Sequence, residues 1–362
     1  MMKLSTNNKG LSIYKYTGSH EEIGYAYGKA ESEAIHHYIN FLYEIFEKGG
    51  TTREVSLQHA RKYIPYIENY SPSIAMEMKS IAKGAGCKYE EIVMIHLHEE
   101  RQSFMTDGCT AFAATSNVTR DKEVLSGQTW DISYSLCKNA QSIILNLNRE
   151  NEPEVICYTY AGMISGAGIN SHGITLNWNS VPRLELQVGV PTYIIIAEVL
   201  RQETIGQAIK AVLDADRAGC FNFVITDETE IYNIEATPED VDVQSSEKMV
   251  YHANHFVSDK FAESQDLNHA GSRYNGSSIV RHNRMKRLLK ESWGKITVPS
   301  CQEILSDHIN YPDSICRHPL SRDDDLEPIV TCASWVMAPS QRKMWVSNGP
   351  ACENGFVEYG LN

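Results

Sequence analysis

Apolar positions in the first hundred residues recur every three or four places. Ile23, Tyr27, Ala30, Ala34, Tyr38, Phe41 and Ile45 form one stripe, the spacing that lines up side chains on one face of an α-helix. Ser19-His20-Glu21-Glu22 stands before the stripe as a capping box, and Gly49-Gly50 closes it. One long helix is predicted between these signals. A second helix is predicted from Ser71-Pro72 to Gly84, and a third from about Tyr89 to Glu100. Beyond residue 108 the pattern shifts to strands, at 110–116, 123–131, 143–148 and 154–161. Asn170-Ser171-His172-Gly173 marks a turn. In the stretch that follows, Ile174, Leu176 and Trp178 share one face while Thr175, Asn177 and Asn179 share the other. Helices are predicted at 192–201 and 204–216, strands at 220–226, 230–236 and 249–255, a basic helix at 277–291, and final strands at 333–338 and 343–346.

Strands and helices therefore come in blocks rather than in strict alternation. That order predicts an α+β fold in which helices cover mostly antiparallel sheets. Residues 1–108 read as an N-terminal helical segment and 109–362 as a strand-rich core, with no repeat or low-complexity tract between them. Ser321-Arg322-Asp323-Asp324-Asp325 reads as an exposed loop.

Composition narrows the function classes. The chain of 362 residues is 42% hydrophobic and 22% charged, so it can bury a core without disulfide staples. Its 33 basic against 46 acidic residues give a net charge of −13, which argues against a nucleic-acid or acidic-membrane binder. The N-terminus carries no apolar secretory segment, and the longest apolar stretch, Tyr193 to Leu200, is too short to span a bilayer. A cytoplasmic protein is expected. Nine cysteines, with no CxxC pair among them, are then expected to be mostly buried thiols.

One of these cysteines stands where the two regimes meet, in Thr106-Asp107-Gly108-Cys109-Thr110. A glycine before a cysteine leaves the joining peptide free to adopt strained geometry. Such a bond is suited to attack by the sulfur on the Gly108 carbonyl, an N-to-S acyl shift that hydrolysis turns into a cut. The new terminus has an α-amine of pKa about 8. It can serve as base for its own thiol, so no separate histidine is required. Taken alone, Gly-Cys equally describes a buried cysteine entering a strand.

Four further segments accompany it in order: Gly127-Gln128-Thr129-Trp130-Asp131, Asn170 through Asn179, His252-Ala253-Asn254-His255, and Tyr311-Pro312-Asp313-Ser314-Ile315-Cys316-Arg317. Together, and with nearly the whole chain from Thr17-Gly18-Ser19 onward, they resemble the acyl-coenzyme A:6-aminopenicillanic acid acyltransferase family of N-terminal nucleophile hydrolases. Penicillin V acylases and bile-salt hydrolases are more distantly similar. The resemblance implies a four-layer αββα sandwich. It also implies self-cleavage between Gly108 and Cys109 into a small chain, 1–108, and a large chain, 109–362, that stay together as one folded unit. Cys109 would be the nucleophile. Asp131 would position the new amine, since a carboxylate stabilises its charged form. Asn254 would donate to the tetrahedral oxyanion, helped by backbone groups near Thr110 and Ala111. Asn177, Asn179 and Ser334 would touch substrate. Val330-Thr331-Cys332-Ala333-Ser334 lacks the arginine of the family's Ser-Arg-Gly-Ala-Thr segment, which weakens the match to penicillin chemistry more than to amide chemistry in general.

The implied activity is cleavage or transfer of the acyl group of an N-acylated small molecule through a Cys109 thioester. Hydrolysis is favoured because no coenzyme A-binding signature is visible, and no cofactor is then expected. In the acyl-transfer alternative a coenzyme A thioester would serve as acyl donor. The expected partners are the small-molecule amide and the chain's own cleaved segment, with no nucleic acid and no membrane. Two other readings stay open: an uncut thiol enzyme whose Cys109 is activated by His252 or His255, and a silent binding protein. No metal is expected. His252 and His255 would fall on opposite faces of a strand, and His96 and His98 on a helix, where a one-residue gap does not chelate. Gly166-Ala167-Gly168 leads into a strand and so lacks the helix a dinucleotide loop requires. Arg281, Arg284, Lys286, Arg287 and Lys290 read as a solvated basic face.

Overall fold

The computed structural model describes residues 2–4, 10–97, 99–101, 108–181, 187–262, 272–320 and 327–361. Among the described residues two sheets form. The larger has nine strands, in the spatial order Met2–Leu4, Ile13–Gly18, Ser142–Arg149, Val155–Tyr160, Gly168–Asn170, Thr175–Ser180, Phe221–Thr226, Ile231–Ala236 and Val241–Ser245. Its neighbours run antiparallel except for Ile13–Gly18 beside Ser142–Arg149. The smaller is antiparallel throughout: Met249–His252, Gly108–Ala114, Leu125–Ser133, Ile329–Ala338, Lys343–Asn348 and Val357–Gly360.

The sheets stack face to face. Ser126 Oγ and Thr175 Oγ1 meet at 3.0 Å across the gap, and the Trp335 indole donates to Asn177 Oδ1 at 2.7 Å. Helices His20–Ala30, Thr192–Leu200 and Ile205–Asp214 lie on the larger sheet. On the far side of the smaller sheet, Phe112, Leu125 and Val336 pack against Met285 and Leu289 of helix Ser272–Glu291 and Leu305 of helix Val298–Leu305. The expected αββα layering is present, and antiparallel sheets buried on both faces explain why so few strands alternate with polar positions.

The predicted long helix is two, His20–Ala30 and Ser32–Lys48, with the break at Glu31. The first is held tightly against helix Pro72–Ala85: a Cβ on Gly24 or Gly28 would come within 2.3 Å or 2.1 Å of the Glu77 or Ile81 carbonyl oxygen. The break resets the helical phase. The buried face of the second helix is Ile35, Tyr38, Ile39, Leu42, Tyr43 and Phe46, which leaves Ala34, Phe41 and Ile45 at its edge. The third helix stops at His96. Strand Ile13–Gly18 and helices Arg53–Arg61, Ile64–Tyr70 and Val298–Leu305 are additions to the predicted set. Because Ile13–Gly18 pairs with Ser142–Arg149, residues before and after position 108 share one core. No helix among the described residues is long and apolar enough to cross a membrane. The Ser321–Asp325 segment and His98 lie outside the described residues.

Candidate active site

Cys109 is the second residue of the Gly108–Ala114 strand, directly opposite Trp130. Strand alternation sends Cys109, Ala111 and Ala113 into the gap between the sheets, and Gly108, Thr110 and Phe112 toward the helices. Cys109 is fully buried, and none of the nine cysteines is in a disulfide.

On the opposing sheet Asn177 and Asn179 are also fully buried and point into the same gap. Their alternation with Trp178 would suit a solvent-facing row, but the second sheet covers it. Asn177 Oδ1 accepts from Trp335, and Asn179 Oδ1 accepts from Asn222 at 3.4 Å. Both side-chain NH2 groups are left without an acceptor among the described residues. A buried orphan donor costs about 1–3 kcal/mol, a cost expected of groups kept for a ligand.

The backbone of Cys109 faces away from its strand partner and meets two side chains. Its N–H donates to Asn254 Oδ1 at 2.9 Å, and its carbonyl accepts from Arg281 Nη1. Arg281 also donates to Asn254 Oδ1 at 2.8 Å and to Thr110 Oγ1 at 2.9 Å. The Asn254 NH2 is engaged by the Ser180 carbonyl at 2.9 Å. With two donors on the oxygen and a carbonyl on the nitrogen, the amide has one sensible orientation. Asn254 thus presents its carbonyl to Cys109, where the sequence reading had it donate to an oxyanion. Ala111 is paired on both sides, to Gln128 and His252, and Thr110 lies opposite Thr129. The backbone expected to assist the oxyanion there belongs to the sheet.

Asp131 is the register partner of Gly108. It is fully buried, takes a hydrogen bond from Thr331 Oγ1 at 2.7 Å, and lies 3.5 Å from Arg317 Nε. Burial pushes its carboxyl up to about 6, against the pull of Arg317, Arg281 and the Thr331 and Thr129 hydroxyls. Burial, and the charge of Arg317 beside it, push the Arg281 guanidinium down to about 9. Arg317 donates to Ser277 Oγ at 2.6 Å, while its Nη1 has no acceptor among the described residues.

The strained peptide expected at Gly108 is not found, since its φ is not positive. The glycine has another use. A Cβ there would sit 3.3 Å from the Arg317 guanidinium carbon, and that group is fixed by Ser277 and Asp131. Gly108→Ala is therefore expected to destabilise the fold by about 1–3 kcal/mol, read as a lower urea midpoint at unchanged m-value.

Ser334 does not reach the site. It stands opposite Thr129 on the helix side of its sheet, whereas its neighbour Trp335 faces the gap. Strand alternation puts it on the wrong face for Cys109. His252 and His255 support the Asn254 loop. The His252 ring nitrogens meet the Ala253 carbonyl and Glu235 Oε1, each at 2.7 Å, and His255 Nδ1 meets Ser278 Oγ at 2.6 Å. Glu235 also takes the Val257 and Ser258 N–H groups.

The basic face assigned to solvent is only partly so, because Arg281 is 1% exposed. It lies in register with buried Ser277, Met285 and Leu289 at spacings of four. That spacing was the signal in the sequence that an arginine belonged to the buried face.

The chain is similar to known proteins in sequence and in structure. The family model described as acyl-coenzyme A:6-aminopenicillanic acid acyl-transferase matches residues 118–350, well over half of the chain, and begins after Cys109. A curated relative from Emericella nidulans, acyl-coenzyme A:6-aminopenicillanic-acid-acyltransferase 40 kDa form, is 28% identical over 309 residues, 83% of each chain. Among solved structures, a variant of the conjugated bile acid hydrolase from Clostridium perfringens superposes with a TM-score of 0.47 at 14% identity, covering 70% of this chain and 97% of that one. Penicillin V acylase from Agrobacterium tumefaciens gives 0.45 at 9% identity, covering 70% and 86%.

Proposed function

This chain belongs to the acyl-coenzyme A:6-aminopenicillanic acid acyl-transferase family, and from that premise we propose that it is a self-processing cysteine enzyme acting on the carbon–nitrogen bond of an N-acylated small molecule. The observation that carries the reading is the peptide joining Gly108 to Cys109. Its nitrogen is held by Asn254 at 2.9 Å, and its two residues are flanked by the buried groups Asp131, Arg281 and Arg317.

Processing begins when Cys109 Sγ bonds to the Gly108 carbonyl carbon. Arg317 Nη1, which has no acceptor among the described residues and belongs to the guanidinium lying over Gly108, supplies positive charge to the oxyanion. The carbon–nitrogen bond breaks as the nitrogen takes the proton the thiol gave up, leaving a Gly108 thioester and a free Cys109 amine. Water hydrolyses that ester, releasing the Gly108 carboxylate and the Cys109 thiol. Asn254 Oδ1, already bonded to this nitrogen, then accepts from the free amine, and Asp131 stabilises its charged form.

In turnover the amine takes the thiol proton and the thiolate attacks the substrate acyl carbon. The orphan amide donors of Asn177 and Asn179 face that carbonyl, and Asn254 serves the amine. The amine then protonates the leaving group, and a thioester remains on Cys109. Water resolves it in a hydrolase. The name of the Emericella relative favours a second reading, in which a coenzyme A thioester supplies the acyl group to an amine. Both pass through the same Cys109 thioester: in the first it forms as the amide carbon–nitrogen bond breaks and the amine leaves, in the second as the carbon–sulfur bond of the acyl-coenzyme A breaks and the coenzyme A thiol leaves. The test is release of free amine from N-acyl amino acids, penicillins and acyl-homoserine lactones, run with and without an acyl-coenzyme A. Amine release without the thioester supports hydrolysis, and acyl-coenzyme A-dependent amide formation supports transfer. Neither product from the cleaved enzyme on any of these compounds overturns the assignment.

Asp131 makes processing pH-dependent. Its carboxyl is raised to about 6, so it becomes neutral as pH falls through that value and no longer stabilises the emerging ammonium. The rate at which large chain accumulates is expected to fall below pH about 6. In Asp131→Asn the limb near 6 should vanish, with processing slow at every pH. A limb that persists in the variant excludes Asp131 as its source.

A further inference from the structure

Outside the gap between the sheets, four side chains from distant positions in the sequence converge. His308 follows helix Val298–Leu305, Cys316 and His318 lie on the loop after it, and Cys352 is on the short helix Ala351–Asn354. One donor atom from each lies within 4.8 Å of the other three. The two sulfurs are 3.7 Å apart, Cys352 Sγ is 3.4 Å from His318 Nε2, and the His308 and His318 Nε2 atoms are 3.0 Å apart.

These distances have a simple reading. A tetrahedral zinc ion, with Zn–S about 2.3 Å and Zn–N about 2.0–2.1 Å, places sulfurs about 3.8 Å apart, sulfur and nitrogen about 3.6 Å, and nitrogens about 3.3 Å. The observed separations follow that order. The ring orientation agrees too. His318 turns Nε2 to the cluster and Nδ1 to Glu353 Oε1 at 3.0 Å, the carboxylate partner that fixes a ligating imidazole. Two soft sulfurs and two imidazoles in this geometry select zinc over magnesium or calcium.

We propose that His308, Cys316, His318 and Cys352 form a structural zinc site. Binding would replace two thiol protons with the metal and close all four coordination positions, leaving none for catalysis. The ion would tie the 306–320 loop to the C-terminal short helix. Arg317 sits between two of the ligands and points the other way, toward Asp131 and Gly108. The clip therefore holds the backbone of the arginine that borders the processing peptide, which makes the ligands positioning residues and not catalytic ones. That last consequence rests on the processing mechanism; the metal site itself does not.

The test uses the full chain without an affinity tag. Metal analysis after dialysis against buffer is expected to find one zinc per chain. Cobalt(II) substitution should give the visible bands of a tetrahedral thiolate site. Cys352→Ser and His308→Ala alter exposed positions, so they should fold, shown by unchanged far-UV circular dichroism, while losing the cobalt bands and most of the zinc. Cys316→Ser should do the same. Zinc loss should also slow appearance of the large chain without abolishing it. Failure of that last readout alone counts against the role for Arg317 and leaves the metal site standing. No zinc in the wild type and no cobalt spectrum would overturn the site, as would zinc retained in full by Cys352→Ser. Thiol titration showing a Cys316–Cys352 disulfide would overturn it as well, and would make the cluster a redox pair.

Discussion

Cys109→Ala is expected to leave one uncut chain of 362 residues where the wild type gives two, 1–108 and 109–362, and to reduce activity to background. In the proposed mechanism one sulfur attacks Gly108 and later takes the acyl group, so removing it should abolish both functions together. Loss of a nucleophile that acts as a unit with its base costs roughly 10⁶-fold in other hydrolases. The loss here should lie in that range. Intact mass spectrometry of fresh preparations reads the first effect and amine release the second. The fold should survive, because Cys109 sits in a strand whose register is fixed by Trp130 and by Asn254, and alanine is accepted two and four residues further along the same face at Ala111 and Ala113. An active wild type that stays a single chain would mean that Cys109 works without a free terminus. His252 and His255 would then have to be tested as its base, although their ring nitrogens serve the Asn254 loop. A cut that persists in Cys109→Ala would assign processing to another group.

Glu77→Ala should give the largest loss of stability. Glu77, on helix Pro72–Ala85, and Arg149, at the end of strand Ser142–Arg149, are 1% and 2% exposed. They form a bidentate pair at 2.7 and 2.9 Å. His20 bridges Glu77 at 2.6 Å to Glu152 at 2.9 Å, and Arg201 extends the network from Glu152. Removing the carboxylate leaves Arg149 charged, buried and uncompensated. The expected cost is about 3–5 kcal/mol, a large part of the roughly 5–15 kcal/mol that holds a domain folded. Replacing both partners by apolar residues, as in Glu77→Leu with Arg149→Met, should recover most of it. The two members lie on opposite sides of the proposed cut, so in the processed protein the loss should also appear as separation of the small chain on size exclusion. Burial pushes the Glu77 carboxyl up, yet Arg149 and His20 outweigh it and hold it below the ordinary value. Its contribution is complete above that ordinary value and is lost as pH falls through the lower one. An acid-unfolding curve should flatten accordingly in Glu77→Ala. Wild-type stability in the variant would show that the network is dispensable.

Periodicity alone determined the helical start, the strand-rich body and the α+β class, because those depend on which face of a local element is apolar. The capping box at Ser19 and Glu22 formed as read, since its hydrogen bonds close within one turn. The order of motifs along the chain singled out Cys109, Asp131, Asn177, Asn179 and Asn254 as candidates, and all but Asp131 gather at the gap or at the Cys109 backbone. Tertiary structure decided which way these groups face. Ser334 fell on the far face because a bulge at Cys332 and strand alternation fix its direction. The Asn254 carbonyl turned to Cys109 because Arg281, from a helix nearly thirty residues on, donates to it. The spacing of Arg281 from Ser277, Met285 and Leu289 marked it for a buried face, whereas Arg317 was legible only as a charge. What the two arginines meet, like the convergence of His308, Cys316, His318 and Cys352, comes from packing a helix and a loop onto a sheet. Contacts between residues this far apart in sequence leave no local period by which they can be read.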